Sequence, residues 1–441
     1  MGHFQKMIRQ RYAVVGVGHR ASAFLEPLAT KFRSDAELVA ICDSNPARAA
    51  FCNERLANDW GHPPVPAYHA EDFPRMLREA RVDTVVVATV DAFHSHYIEK
   101  ALELGCGVVC EKPIATTAQQ CSGILAAADR AGRKVRVTFN ARWWPSAGLI
   151  RQTLAAGSIG EVLHVDMQYM LDAHHGADYF RRWHREKSQS GGLLVHKSTH
   201  HFDLVNWWLD AVPETVFAFG KLGFYGRSNA DRRGLGFNYP RYTGHATPGD
   251  PFAFKLDADE GLRRMYYEAE SHDGYIRDQN VFGEGITSED CMAVVVRYGN
   301  GATLQYSLNA FLPYEGFMVA FNGTMGRLEY RERHFTPHGD PGAGKVTDSA
   351  CTLHPLFGNP QNLEIPKLEG GHSGADPLIQ AQIFSGSPPE ERLGRNAWHE
   401  QGIVSALVGI GANQSIESGM PVNIGELCPE LKKAAFFHEY H

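Results

Sequence analysis

The sequence predicts an α/β protein in two parts, a doubly wound parallel sheet followed by an α+β domain with an open, mostly antiparallel sheet. Three observations predict it. Short apolar runs alternate with helix-patterned runs as far as residue 142. A glycine-rich turn, Gly16-Val17-Gly18, closes the first of these strands. Beyond residue 160 the strand runs alternate apolar with polar residues, and Gly299-Asn300-Gly301 joins two of them as a hairpin.

Taken in order, 12–18 reads as a β-rich strand running into glycines, and 19–31 has the apolar spacing of a helix through Phe24, Leu25 and Leu28. A second strand at 38–42 is closed by Asp43. Residues 46–56 follow as an Ala-rich helix with Pro46 in its first turn. The run 84–90 is almost wholly apolar and β-branched, as a strand covered on both faces should be. Further strands are expected at 108–110 and 134–139, with a helix at 117–131 between them. The second part should begin with a strand at 161–170 and contain the hairpin 293–297 and 302–309. Two stretches lack periodicity: 226–290, rich in Gly, Asp, Tyr and Arg, and 332–395, rich in Pro and Gly. A helix at 397–417 closes the pattern. The expected division is 1–142 for dinucleotide binding, 143–395 for substrate and oligomer contacts with an irregular insert at 226–290, and 396–441 as a helix and tail packing back toward the first domain.

The composition excludes several functions. With 43 Lys+Arg against 50 Asp+Glu the net charge is −7, which disfavours nucleic acid as a partner. Eight cysteines without a CxxC pair fit reduced thiols better than a disulfide scaffold or structural zinc. No apolar run approaches the ~18–20 residues of a membrane span, and the start lacks a signal-peptide core. No membrane partner is expected, and a cytoplasmic location is. The 22 histidines could be metal ligands, a pH switch, acid–base groups or a scattered surplus.

The chemistry concentrates in two places. Gly16-Val17-Gly18-His19-Arg20-Ala21 fits a dinucleotide turn: Gly16 permits the turn, Gly18 lets backbone approach a pyrophosphate, and Ala21 lets helix and strand pack closely. Asp43, at the end of the second strand, can accept hydrogen bonds from ribose hydroxyls, which favours NAD; Ser44 and Arg48 could help accommodate the 2′-phosphate of NADP. The second place combines Cys110-Glu111-Lys112-Pro113 with the segment 191–208. Lys112 stands at a parallel strand's C-terminal end, where ligands bind. If 196–203 is one helix, His196 and His200 share a face, with Asp203 a turn further on. A metal pair, an acid–base group held by a neighbour, or a helix start with satisfied histidines are all readings of that segment; no metal site is assigned, because HxxxH without an intervening Glu is a weak zinc signal.

Together the glycine turn, Asp43, Glu111-Lys112-Pro113, the Gly-Gly…His-x-x-Asp segment, Thr89 followed by His94 and His96, and the end of the last helix at 414–419 resemble the glucose–fructose oxidoreductase/inositol dehydrogenase (Gfo/Idh/MocA) family. The resemblance implies an N-terminal Rossmann domain, a C-terminal α/β domain whose open sheet often mediates homo-oligomers, and hydride transfer between NAD(P) and a ring carbon of a sugar or glycoside. It implies that Lys112 is the catalytic lysine and His200 the catalytic histidine; His196 or Lys197 is then expected to orient His200 or bind a neighbouring hydroxyl. The expected cofactor contacts are Gly16, Gly18, His19, Arg20, Asp43, Ser44, Arg48, Thr89, His94, Glu111, Lys112, Asn140 and Trp183. Arg142, Trp183 and Arg185 are expected in the wall, and the insert as a sugar-stacking wall or an oligomer contact. The chain departs from the family at His196, where an acid is usual, and at Lys197, where an apolar residue is usual. Both departures suggest distinct chemistry or an anionic substrate. The alternative activity is an NAD-dependent glycosidase that oxidises a ring position transiently, eliminates the aglycone, adds water and reduces again.

Overall fold

A computed structural model of the chain describes residues 9–335, 345–367 and 374–433. Six strands, β1 (Gln10–Val15), β2 (Ala36–Asp43), β3 (Ala67–His69), β4 (Thr84–Val87), β5 (Gly107–Cys110) and β6 (Val135–Val137), pair in parallel in the order β6-β5-β4-β1-β2-β3. The order reverses between β1 and β4, which opens a crevice at their C-terminal ends. The connecting helices are capped as their sequences require. Asn45 accepts from the Ala47 and Arg48 amides ahead of Pro46–Asn58, and Thr117 accepts from the Gln120 amide ahead of Ala118–Ala131.

The second sheet contains β7 (Val162–Asp172), β8 (Pro213–Lys221), β9 (Cys291–Tyr298), β10 (Thr303–Leu312), β11 (Glu315–Gly323), β12 (Gly326–Phe335), β13 (Lys345–Pro355) and β14 (Gln361–Leu363). Its order is β14-β13-β12-β11-β7-β10-β9-β8, and every pair is antiparallel except β7 with β10. The Asn-Gly hairpin joins β9 to β10, and Met292, Val294, Val296 and Tyr298 turn one face of β9 inward. The last two strands, β15 (Ala397–Trp398) and β16 (Val422–Asn423), pair with β6 of the first sheet and β8 of the second. Between them the almost wholly buried helix His399–Ser418 packs on β8, on Leu193–His196 and on Thr199–Leu209. This one helix touches both sheets and the segment that carries the histidines.

Three local expectations need correction. The strand expected at 84–90 ends at Val87, because the chain then turns through Asp91–Phe93. The stretch 332–395 is not wholly irregular, since it contains β13, β14 and the helix Ala375–Phe384. Pairing with β12 supplies β13 with the backbone partners that its composition does not advertise. The segment 196–203 is two helices rather than one: Leu193–His196 closes with the Lys197 and Ser198 amides both on Leu193 O, and Thr199–Leu209 then starts afresh. His196 and His200 therefore do not lie one turn apart on a single helix. Of the expected ranges, 1–8, 336–344, 368–373 and 434–441 lie outside the described residues.

Candidate active site

The glycine turn builds the floor of a cleft of about 740 Å³ at the crevice of the first sheet. Gly16 has φ +83°, and a Cβ there would lie 2.6 Å from Ala88 O, so the end of β4 leaves no room for a side chain. At Gly18 a Cβ would enter the cleft and meet only Tyr266 Oη, at 3.5 Å. Asp43 sits beside the turn, accepting from the Val17 amide at 2.8 Å and the Asn45 amide at 2.8 Å. Arg48 bridges Asp43 and Asp273, so both flanks of its charge are neutralised.

Nine of the expected cofactor residues line this cleft: Gly16, Gly18, His19, Arg20, Asp43, Ser44, Arg48, Thr89 and Trp183. His94, Glu111, Lys112 and Asn140 are outside its wall, and each is engaged elsewhere. The buried His94 ring places Nδ1 2.7 Å from Pro113 O and Nε2 3.1 Å from Thr89 O, so it ties the end of β4 to the lysine turn. Glu111 accepts from Arg20 Nε at 2.6 Å and from the Lys112 amide at 3.1 Å, and these cations hold its carboxyl below the usual range although burial opposes them. Asn140 donates to Asp376 at 3.3 Å.

Lys112 and His196 come together. Lys112 Nζ donates to His196 O at 3.0 Å, and the His196 ring turns Nδ1 onto Asp91 Oδ2 at 2.5 Å. Sequence reasoning missed Asp91, which lies 105 residues from its partner. Its only signal was an acid just past the end of β4, at the crevice. Burial pushes the Asp91 carboxyl well up; burial and then the Lys112 charge push the His196 imidazolium well down, so both are driven toward their uncharged forms. Burial also lowers Lys112, to about 8, against the opposing charges of Asp91 and Glu111.

His200 makes no hydrogen bond at its buried Nδ1 among the described residues and meets Phe139 edge-on at 5.8 Å. Burial, with the Lys112 and Lys197 cations nearby, holds it neutral by pushing its pKa well down. Lys197 Nζ lies 4.9 Å over the Tyr169 ring, and His201 stacks on the same ring while its Nδ1 lies 2.7 Å from Tyr306 Oη.

Arg142 and Asp203 do not face the cleft. They form a buried two-pronged pair, Nε–Oδ2 and Nη2–Oδ1 both 2.7 Å, that pins Thr199–Leu209 to the turn after β6. Arg185 is likewise buried rather than in the wall, and its guanidinium donates to Gln279, Asn280 and Glu284 of the insert. Among the described residues, no group of three or more His, Cys, Asp or Glu could hold a metal ion, and no helix is long and apolar enough to cross a membrane.

A family model described as "Oxidoreductase family, NAD-binding Rossmann fold" matches residues 10–139, and the model of its C-terminal alpha/beta domain matches 151–424. The chain belongs to this family, Gfo/Idh/MocA. Across 93% of its length it is 36% identical to a putative oxidoreductase, YteT, from Bacillus subtilis, 97% of which is covered. An inositol 2-dehydrogenase from Rhizobium meliloti is 28% identical over 47% of the chain, and only 57% of that enzyme is spanned. The fold matches the crystal structure of an aldose-aldose oxidoreductase from Caulobacter crescentus with TM-score 0.62 at 18% identity, covering 94% of this chain and 100% of that one.

A nicotinamide dinucleotide fits the residues of this family member's cleft. The space at Gly18 admits a ligand against the backbone. The lining also brings the cations Arg20 and Arg182 to the same cleft. Such donors suit a pyrophosphate.

Proposed function

We propose that the protein transfers a hydride between NAD and a ring hydroxyl carbon of a sugar or glycoside, with Lys112 and His200 as its acid–base groups. The observation that carries this reading is the convergence of Lys112, His196 and Asp91 just beyond the C-terminal ends of β4 and β5, the same edge of the sheet at which the glycine turn follows β1. The nicotinamide, when bound, supplies the hydride acceptor. His200, held neutral, takes the hydroxyl proton. Lys112 donates to the same oxygen and stabilises the negative charge that develops there. The inositol 2-dehydrogenase relative, whose named substrate is a cyclic polyol, supports the substrate class. The Asp91–His196 pair is a second acid–base group in the same site, and it favours the redox-neutral glycosidase as the alternative. A panel of free sugars and glycosides with NAD, read for both nicotinamide reduction and aglycone release, tests both. Steady reduction identifies the dehydrogenase, release without reduction identifies the glycosidase, and neither in a protein that binds NAD overturns the proposal.

Two further results are expected. NAD should bind about tenfold or more tighter than NADP, because Asp43 and Asp273 outweigh the one cation between them, Arg48, and a 2′-phosphate would meet a net negative site. Titration with the two nucleotides checks this. Turnover should fall as pH rises through about 8, where the Lys112 ammonium loses its proton. In Lys112→Arg, which stays charged, that alkaline limb should move up. The eight cysteines, all free, support a reducing, cytoplasmic setting. The exposed Phe219 and Val295 on the open sheet face support a homo-oligomer.

A further inference from the structure

A polar wall on the second sheet has no part in the chemistry above. Strand β7 ends at Asp172, which caps the helix Ala173–Arg181 by accepting from the His174 and His175 amides. His175 and Tyr179 are then one turn apart on that helix, with their rings stacked at 5.3 Å and Tyr179 Oη 3.2 Å from His175 Nε2. Glu315, the first residue of β11, commits both carboxylate oxygens to this wall: Oε2 accepts from His175 Nδ1 at 2.7 Å and Oε1 from Tyr169 Oη at 3.2 Å. Against burial, the His175 partner and then the Lys197 cation hold the Glu315 carboxyl down to about 2. Tyr179 also meets the His196 ring edge-on at 5.6 Å, so the wall runs on into the site that holds Lys112.

Lys197 stands over this wall without an acceptor. Its Nζ lies 4.9 Å over the Tyr169 ring, and among the described residues no hydrogen bond or ion pair reaches it. Burial draws its pKa below the usual lysine range while Glu315 pulls the other way. An ammonium held partly out of water without an acceptor is costly, and a negative charge brought by a ligand removes that cost. We propose that Lys197 binds the carboxylate of an acidic sugar, so that the substrate is a uronate or uronide rather than a neutral hexose. This inference rests on the sugar-oxidising reading given above and names its substrate class. Lys197 follows His196, whose carbonyl holds Lys112, so a sugar whose hydroxyl meets Lys112 brings its neighbouring substituents toward Lys197. The charge balance selects a carboxylate. Both Glu315 oxygens are engaged, which leaves one ammonium for one negative charge, whereas a phosphate monoester would bring nearly two charges up to Glu315. In this role Lys197 sets specificity and exchanges no proton with the substrate.

The probes are methyl glucuronide and methyl galacturonide, each beside its neutral hexoside and its uronate methyl ester, which keeps the ring and loses the charge. Calorimetric titration into the NADH-loaded full-length protein measures binding, and kcat/KM with NAD measures use. In at least one set the acid should bind roughly ten- to a hundredfold tighter than its ester and its hexoside. In Lys197→Met, which keeps an apolar stem against Tyr169, that preference should fall to near one, a ratio that a merely structural lysine would not move. The ester comparison is made on the native chain and needs no variant to fold. Equal binding of acid and ester, or an acid preference that survives in Lys197→Met, overturns the carboxylate role while hydride transfer to the sugar stands. Tighter binding of a hexose 6-phosphate than of either uronide also overturns it, with phosphate as the anion recognised. If the acids are preferred but no probe reduces NAD or releases its methyl aglycone, Lys197 keeps its role and the catalytic reading falls. If no probe binds at all, both fall.

Discussion

Lys112→Ala and His200→Ala each lower kcat by about 10²–10⁴-fold on the best substrate of the panel, while NADH affinity stays within a few-fold of the native value. The separation follows from placement. Neither side chain is in the wall of the nucleotide cleft, so removing it leaves the glycine turn, Asp43 and the insert in place. Lys112 follows β5 with its Nζ held by His196 O and no carboxylate oxygen within ion-pair distance among the described residues. His200 has no hydrogen-bond partner at Nδ1 among the described residues, so its orientation comes from packing against Phe139 and from the helix that carries it. Lys112→Arg should recover less than its retained charge suggests, because a planar fork does not fit the position of a single ammonium. Near-native kcat in either alanine variant would refute the assignment.

Asp203→Ala destabilises the protein by about 3–5 kcal/mol, because it leaves the Arg142 guanidinium buried without its carboxylate. The pair is 3% and 1% exposed, and both of its prongs are 2.7 Å. Arg142 Nη1 also donates to Gly394 O, and Ser405 Oγ donates to Asp203 Oδ1, so the pair ties the turn after β6 to the His200 helix and to the last long helix. For a chain of this size the loss corresponds to a fall in Tm of roughly 3–5 °C. Removing both partners in Arg142→Met/Asp203→Leu should cost less than Asp203→Ala alone, since no buried charge is then left unpaired. Thermal unfolding of the two variants beside the native protein measures this. An Asp203→Ala protein with native Tm and lost activity would instead make Asp203 a participant in the chemistry.

The sequence shows most clearly what is decided within a few residues. The strand runs, the glycine turn, the Asn-Gly hairpin and the capped helices were legible because backbone conformation and side-chain period are local properties. The outer strands β12 and β13 were harder to see. Charged residues alternate along β12, and only Leu328 and Tyr330 on its inner face mark it as half-buried. The family resemblance singled out Lys112 and the histidine segment, but it carried no information on how His196 is used.

The sequence by itself determined the order of strands and helices, the dinucleotide turn with Asp43 beside it, and the lysine and histidines that belong to one site. Only the tertiary structure decided their partners. Asp91 faces His196 across 105 residues, Arg142 faces Asp203 across 61, and Arg48 faces Asp273 across 225. Each of these pairings depends on which surfaces the packed sheets and helices bring together out of water, where a charge without a partner is costly. Periodicity reports which way a side chain points along its own element, and it cannot report what waits on the element opposite.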